Sequence, residues 1–472
     1  MSKAILGGGL SGLSAAYYLS KNLPNQSLTL IEASGRTGGW IKSNLRENGI
    51  IFEQGPRTIR PRGAAGQNTL QLIEDLGLSD KIIPILSNSP AAKNRMIYAK
   101  GGLHMVPSSL GALFKKQEPF TKPLISYLLN DLKTGRKRVQ DESIYDFIDR
   151  RFGEEVADYL ISPLICGVCA GNAKEISVKF LMKELFEYEQ KYGSVSGGIA
   201  RNLFTTSKKS KILSKLSQRA KREKWNIYSF TDGCETLPVA LRDSIIGNNV
   251  NIILNTECKE IVTDKNKIIL HLSDNKTNNV DHLISAVPST NLGSLVEKQH
   301  PELAHFLKKL VKNVSVAVVN LHFAKDVLKN AAFGLLVAPR EHLPILGIIY
   351  DSCCFPKNST GTVLTVMMGG HWFQHYFGEN PEETLLLDTA LSQLKQILHI
   401  NDAPIQFKVN VLHHCLPQYV IGHNDSLLNI NNYINKNKLP MSICGASYHG
   451  VGINDVILSA KNAVHHLTTS AN

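Results

Sequence analysis

Three glycines near the start of the chain, Gly7, Gly9 and Gly12, have the spacing of a dinucleotide-binding turn. A short apolar strand from Ala4 precedes them, and an apolar helical pattern from Leu13 follows. In such a unit the first glycine allows the tight turn. The second lets the backbone approach a pyrophosphate, and the third lets the helix pack closely on the strand. The sequence therefore predicts a Rossmann-like unit whose helix N-terminus faces phosphate charge.

A second predicted strand ends at Glu32, twenty residues after Gly12. A carboxylate at this distance suits the two hydroxyl groups of an adenosine ribose. The motif up to this point does not distinguish a flavin from a nicotinamide cofactor.

A second glycine pair, Gly38 and Gly39, favours the flavin. A cofactor that continues beyond the pyrophosphate needs the backbone to approach it again, and glycine allows that approach. Arg36 has two open roles, since it could pair with a phosphate or hold this turn. Near the other end of the chain, a strand, the glycine-rich stretch 445–455 and an apolar helix follow one another. That helix N-terminus can stabilise electron density on the pyrimidine edge of a flavin.

Length and composition limit the class of protein. A chain of 472 residues favours two or three domains, and 43% hydrophobic with 19% charged residues is the composition of a globular, not a disordered, chain. A net charge of +12 suits an acidic substrate, an anionic lipid or nucleic acid, and no nucleic-acid-binding motif is recognisable. No apolar run reaches the length of a membrane span. Because the first strand begins at Ala4, we expect no cleaved presequence and import through internal signals.

Eight cysteines are scattered without a disulfide framework. Cys166 and Cys169 form a single C-x-x-C pair, which lacks the further ligands of a structural zinc site, so no metal site is predicted. A redox pair stays open, although two inert thiols are favoured because no thioredoxin-type strand precedes them.

Residues 201–224 contain nine Lys or Arg and one acid, Glu223. Ile212, Leu213 and Leu216 could form a narrow apolar stripe there. This pattern is typical of a basic interfacial helix that meets anionic lipid. A solvated charged linker is the equally open alternative.

The N-terminal motifs together resemble the flavin amine oxidase superfamily over residues 4–57. The shared pattern is the G-x-G-x-x-G turn, then Glu32-x-x-x-Arg36-x-Gly38-Gly39, then Glu53-x-Gly55-Pro56. Further segments, in order along essentially the whole chain, are similar to the protoporphyrinogen oxidase family of the mitochondrial animal type; they include 39–43, 55–61, 94–98, 167–172, 416–419 and 445–448.

The resemblance implies an α/β, amine-oxidase-like fold with three domains. They are a Rossmann-like FAD-binding domain (1–90, 226–290, 415–472), a helical membrane-binding domain (91–205) and a mixed-sheet substrate domain (206–225, 291–414). It also implies oxidation of protoporphyrinogen IX to protoporphyrin IX by dioxygen, the penultimate step of haem biosynthesis. The implied partners are an anionic membrane surface, a second copy in a homodimer, and ferrochelatase as one candidate. The implied location is the intermembrane-space side of the mitochondrial inner membrane.

The resemblance also assigns residues. Arg95 pairs with a substrate propionate, Gly167 lines the pocket with bare backbone, and Phe333, Leu336 and Met367 form its apolar wall. From the residues alone, Arg95 would be a solvated surface charge and the other three side chains would be core. Noncovalent FAD is held by Gly7, Gly8, Gly9, Leu10, Ser11, Gly12, Glu32, Ala33, Trp40, Gly55, Pro56, Arg57, Thr58, Cys258, Ala446, Val451, Gly452 and Ile453.

Cys258 is expected to meet the adenine through its backbone, and no acid or base residue is assigned. Two positions depart from the family pattern. Cys166 stands where some members have a basic residue, and Asp232 stands where many have glycine. Two other functions stay open: a flavin amine or polyamine oxidase, and a non-catalytic flavoprotein at a membrane surface.

Overall fold

The protein is described by a computed structural model, which describes residues 2–46, 49–107, 110–205, 214–355 and 361–469. The chain forms two compact units. The first comprises Met1–Pro84, Leu213–Lys312 and Asn424–Asn472, and the second comprises Ile85–Ile212 and Asn313–His423. Residues 85–90 and 415–423, predicted with the FAD-binding segments, belong to the second unit, and 291–312 belong to the first. The division into three functional domains stays a prediction.

The strands are, in chain order, β1 (Ser2–Leu6), β2 (Ser27–Ile31), β3 (Ser43–Leu45), β4 (Ile51–Glu53), β5 (Ile82–Leu86), β6 (Met96–Ala99), β7 (Gly102–Met105), β8 (Trp225–Phe230), β9 (Asn251–Ile253), β10 (Cys258–Asp264), β11 (Lys267–Leu272), β12 (Thr277–Val280), β13 (His282–Ser285), β14 (Lys312–Phe323), β15 (Gly334–Val337), β16 (Ile345–Ile349), β17 (Thr362–Gly370), β18 (Gln406–Gln418) and β19 (Met441–Ile443).

The α-helices are α1 (Leu10–Asn22), α2 (Gly63–Asp75), α3 (Pro90–Lys93), α4 (Leu124–Lys133), α5 (Ile144–Phe152), α6 (Glu154–Val156), α7 (Ser162–Cys169), α8 (Val178–Leu181), α9 (Lys183–Tyr192), α10 (Val195–Thr205), α11 (Lys215–Arg222), α12 (Thr236–Gly247), α13 (Ser289–Val296), α14 (Pro301–Leu310), α15 (Asp351–Cys354), α16 (Phe373–Phe377), α17 (Glu383–Leu398), α18 (His423–Lys436), α19 (Ala446–His449) and α20 (Ile453–Thr469).

The first unit is built on a parallel five-stranded sheet with the order β19-β13-β1-β2-β9. Its central strand β1 contains Ala4 and Ile5, which are fully buried. Helices cover such a sheet on both faces, so its central strands are apolar on both sides. Here α1, α2, α12 and α20 contribute apolar side chains to one core with the sheet. This unit also contains an antiparallel three-stranded sheet, β10-β11-β12, and the β3-β4 hairpin.

The basic segment divides between described and undescribed residues. Ile212 and Leu213 lie outside the described residues, so their predicted stripe is not visible. Leu216 on α11 is only 3% exposed and packs in the core of the first unit together with Ala220. The expectation of an exposed apolar stripe is therefore wrong at Leu216, because this side chain has a protein core to fill. Residues 214–225, which we assigned to the substrate segment, belong to the first unit.

The second unit contains a mixed seven-stranded sheet with the order β18-β14-β17-β16-β15-β6-β7. Side chains alternate between its faces. Ala317, Val319, Val366 and Met368 point to the face that α17 covers. Val318 and Met367 point to the opposite face, where they cluster with Cys166 of α7. The mixed α/β class predicted from the sequence is confirmed.

Residues 124–205 of the second unit are mainly helical and have their own apolar cluster, centred on Ile144, Phe147 and Ile165. Arg151 is fully buried among these helices. It is paired with Asp131 and, at 2.7 Å, with Glu189, as a buried charge requires. No helix in the part of the chain that the structure describes is both long and apolar enough to cross a membrane.

Candidate functional site

The first glycine turn joins β1 to α1 in the predicted way. Gly7 has a φ of +101°, and its N–H donates to the carbonyl oxygen of Ile31 at 2.8 Å. A methyl group at position 12 would lie 1.8 Å from the carbonyl oxygen of Gly7. Glycine at position 12 is thus required for helix and strand to pack at this distance.

Glu32 closes this turn from the end of β2. Its carboxylate accepts hydrogen bonds from the N–H of Gly8 at 2.6 Å and from the N–H and hydroxyl of Ser34 at 2.9 and 2.6 Å. A carboxylate has about four lone-pair positions, so it can still accept from a ribose hydroxyl. The carbonyl oxygen of Glu32 accepts from Thr256, two residues before Cys258. Cys258, predicted to meet the adenine, begins β10 two residues after this contact with the end of β2.

The second glycine pair lies against the first turn. The N–H of Gly38 donates to the carbonyl oxygen of Gly8 at 2.8 Å, and Gly38 also bridges to Gly9. At Gly39 the φ is +58°, and a methyl group there would lie 3.1 Å from the Cα of Gly9. Both turns thus approach each other through bare backbone.

Arg36 holds this second turn. Its guanidinium donates to the carbonyl oxygens of Gly39 at 2.7 Å and Ile41 at 2.6 Å, and to Glu235 Oε1 at 3.1 Å. Of the two roles left open by the sequence, the structure shows the structural one. Glu235 also accepts from the N–H of Ser43 at 2.9 Å. One carboxylate therefore joins Arg36 and Ser43, at the two ends of the loop 36–43.

Glu53 is a supporting residue that the sequence did not single out for this role. It is 7% exposed and accepts from the N–H of Cys234 at 2.7 Å and from the hydroxyl of Ser43 at 2.8 Å. In the sequence, Glu53 was visible only as the acidic residue of the acid-x-Gly-Pro turn. Asp232, the departure from the family pattern, forms an exposed pair with Lys81 at 3.1 Å.

The turn after Glu53 carries several predicted cofactor residues. A methyl group at Gly55 would lie 2.4 Å from the carbonyl oxygen of Trp40, so these two segments touch through backbone. Arg57 is 5% exposed, whereas the Trp40 side chain is 48% exposed. Pro56 and Thr58 flank Arg57 between β4 and α2.

The C-terminal glycine turn meets the N-terminal one. Gly445 has a φ of +114°, and a methyl group there would lie 3.2 Å from the hydroxyl oxygen of Ser11 on α1. The N–H of Gly445 donates to Ser459 Oγ on α20 at 3.2 Å. The segment that holds Ala446, Val451, Gly452 and Ile453 therefore starts beside the first turn of α1.

These turns have room for an extended anionic cofactor. A methyl group at Gly9, the N-cap of α1, would meet only the Cα of Gly39, at 3.9 Å, among the described neighbours. The N–H groups of the first turn of α1 are not all satisfied within the helix, so they favour a phosphate. With Glu32 at one end and the Gly445 turn at the other, the residues fit a flavin dinucleotide.

In the second unit, two of the predicted substrate residues lie on one sheet face, and a third packs against them from α7. Met367 on β17 is paired with Gly347 on β16, and Gly347 is paired with Leu336 on β15. Cross-strand partners share a face, so Leu336 and Met367 line the same side of the sheet. A methyl group at Gly167 on α7 would lie 2.7 Å from Leu336 Cδ2.

Arg95 and Phe333 immediately precede the parallel strands β6 and β15. The N–H of Phe333 donates to the carbonyl oxygen of Asn94 at 3.2 Å, so the two strand starts are adjacent. Arg95 is exposed, and Phe333 is half-buried.

The C-x-x-C pair lies on α7 with both thiols buried and not in a disulfide. Cys166 Sγ donates to the carbonyl oxygen of Gly171 and Cys169 Sγ to that of Ile165, each at 3.4 Å. Burial raises the pKa of Cys169 to about 12 and raises the pKa of Cys166 further. A thiol that stays protonated is a poor nucleophile, so the geometry favours two inert thiols.

Residues 10–468 match the family described as flavin containing amine oxidoreductase. The protoporphyrinogen oxidase of Bos taurus is 37% identical over 465 residues, which cover 97% of this chain and 96% of the bovine protein. The chain belongs to the protoporphyrinogen oxidase family. A second member of this family, the mitochondrial protoporphyrinogen oxidase of Nicotiana tabacum, is 29% identical over 98% of this chain and 93% of its own length.

A solved structure from Exiguobacterium sp. 255-15 superimposes with a TM-score of 0.81 and covers 99% of both chains. At 23% identity this likeness supports the fold alone. Membership of the protoporphyrinogen oxidase family makes the protein an oxidoreductase with FAD as its cofactor.

Proposed function

We propose that this protein oxidises protoporphyrinogen IX to protoporphyrin IX. Six hydrogen atoms leave the substrate in three two-electron steps, and three dioxygen molecules become three hydrogen peroxide molecules. The observation that carries the proposal is the 37% identity to the bovine protoporphyrinogen oxidase over nearly the full length of both chains. The glycine turns near both ends of the chain support it, since their bare backbone and the N-terminus of α1 fit a flavin dinucleotide.

The first unit would hold FAD without a covalent bond. Gly7 to Gly12 and the N-terminus of α1 would take the pyrophosphate, Glu32 the ribose, and Ala33 with the Cys258 backbone the adenine. The flavin end would lie among Trp40, Gly55, Pro56, Arg57, Thr58, Ala446, Val451, Gly452 and Ile453. When bound, FAD supplies a two-electron acceptor that dioxygen can reoxidise.

The protein's own contribution is orientation, shape and charge. Arg95 would pair with a propionate, because a guanidinium is always charged and matches a carboxylate with two hydrogen bonds. Gly167 would leave room for the tetrapyrrole where a side chain would project. Phe333, Leu336 and Met367 would provide an apolar wall that excludes water. We assign no general base.

We place the protein in the mitochondrion, on the intermembrane-space side of the inner membrane. The tobacco relative is named as mitochondrial. A net charge of +12 favours an anionic membrane surface. A homodimer and an association with ferrochelatase complete the proposal and follow from the family resemblance.

The test compares substrates on the purified, FAD-loaded protein. Porphyrin fluorescence should grow on addition of protoporphyrinogen IX, faster than its autoxidation without protein, and amines or polyamines should yield no hydrogen peroxide. Peroxide formed from an amine would show the amine oxidase function instead. An absorption spectrum without flavin bands, recorded after FAD addition and removal of unbound FAD, would show that the cradle does not bind FAD.

A further inference from the structure

Asp455 lies in the first turn of α20, directly after the glycine-rich segment. It is the third residue of the helix, and Gly452 is the residue before the helix begins. The N–H of Asp455 donates to the carbonyl oxygen of Gly452 at 2.9 Å. The N–H of Gly452 in turn stabilises the Asp455 carboxylate. The Asp455 carboxylate thus supplies one half of a capping box, the acid at N3 that accepts from the N–H of the residue before the helix.

The same side chain supports the turn itself. A methyl group at Gly450 would lie 2.9 Å from Asp455 Cβ, and one at Gly452 would lie 2.8 Å from Asp455 Oδ2. Gly450 has a φ of +132°, which only glycine adopts readily. Asp455 therefore packs against both glycines of a turn whose shape the flavin end of the cofactor depends on.

The negative charge of the carboxylate also counteracts the partial positive charge at the N-terminus of α20. The N-terminus of α20 carries partial positive charge that favours electron density on a neighbouring group. Asp455 is the acidic residue of its first turn. Partial desolvation raises the pKa of Asp455, and the Gly452 N–H counters that rise. A carboxyl group that accepts a hydrogen bond is stabilised in its charged form.

We propose that Asp455 is a positioning residue of the cofactor site, which fixes the Gly450–Gly452 turn and lowers the reduction potential of the bound FAD. The inference rests on the proposed FAD site but not on the identity of the reduced substrate. A negative charge beside the cofactor disfavours its electron-rich, reduced form. A purely structural role would change the affinities for oxidised and reduced FAD equally and would leave the potential unchanged.

The experiment measures the midpoint potential of bound FAD by dye equilibration, together with the dissociation constant of oxidised FAD. Asp455→Asn should strengthen the binding of reduced FAD relative to that of oxidised FAD by about three- to tenfold. This corresponds to a positive shift of the midpoint potential by about 15–30 mV. Asp455→Glu should keep the wild-type potential because it keeps the charge. Asp243→Asn, which removes a charge paired with Arg242 on α12, is the matched control and should shift nothing.

An unchanged potential in an FAD-loaded Asp455→Asn protein would overturn the inference and leave the proposed substrate untouched. An equal shift in Asp243→Asn would also overturn it, since net charge would then be the cause. Absence of FAD binding in the wild-type protein would overturn both. A shift in a protein that does not oxidise protoporphyrinogen would support the inference and refute only the proposed substrate.

Discussion

Replacing Gly12 by alanine tests the geometry of the first turn. The added methyl group would lie 1.8 Å from the Gly7 carbonyl oxygen and 3.5 Å from Ala286 Cβ. Carbon contacts are optimal at roughly 3.5–4.0 Å, so α1 must move away from the turn by about 1.7 Å or more. Overpacking of this kind costs about 1–3 kcal/mol. Because the strain lies in the cradle itself, we expect FAD to bind about 10–100-fold more weakly.

The assay is a fluorescence titration of the apoprotein with FAD, combined with thermal unfolding of the same samples. Gly247→Ala is the matched control, since no described atom outside its own helix lies within 4 Å of the added methyl group. Alanine at this helical position should stabilise the protein by up to about 1 kcal/mol without changing FAD affinity. A Gly12→Ala protein that binds FAD within threefold of wild type and unfolds like Gly247→Ala would refute this reasoning.

Three further predictions concern other parts of the chain. Arg95→Ala should raise KM for protoporphyrinogen about tenfold or more while Arg242→Ala does not, because a charged hydrogen bond contributes about 1.5–3 kcal/mol; equal KM values for both variants would exclude the propionate role. A thiol reagent at pH 8 should label Cys166 and Cys169 only after unfolding, since burial keeps both protonated; fast labelling of the native protein would contradict this. Burial, with Lys3 nearby, lowers the pKa of His282 from 6.5 to about 4. As the pH falls, His282 therefore takes up a proton in the unfolded state before it does so in the folded state. Between pH 6.5 and 4 the protein should therefore lose up to about 3 kcal/mol of stability, and a His282→Asn variant measured by urea unfolding should lose less.

Local sequence determined the glycine turns, because each depends on residues close together in the chain. Gly7, Gly12 and Glu32 lie where the pattern predicted, since a strand, a turn and a helix leave little freedom in the position of the next strand end. The parallel pairing of β1 with β2 followed from the same unit, because two strands joined by a helix pair in parallel.

Residues that act across long separations were not predictable in this way. Arg36 had two open roles, and the choice depends on Glu235, which is 199 positions away. Glu53 supports Cys234 across 181 positions. Leu216 looked like part of an exposed stripe, because composition alone does not reveal which core a basic amphipathic helix covers. The substrate residues could be identified only through the family resemblance, since an apolar pocket and an apolar core have the same composition.

The central claim is that FAD in this protein accepts electrons from protoporphyrinogen. The most direct measurement mixes the FAD-loaded protein with protoporphyrinogen IX in the absence of oxygen and follows the visible flavin absorption. We predict that the flavin band bleaches without oxygen, because each FAD takes two of the six electrons from the substrate. When dioxygen is admitted, the flavin band should return with hydrogen peroxide, and porphyrin should form over the repeated two-electron steps. A flavin band that persists in the presence of excess protoporphyrinogen would contradict the account.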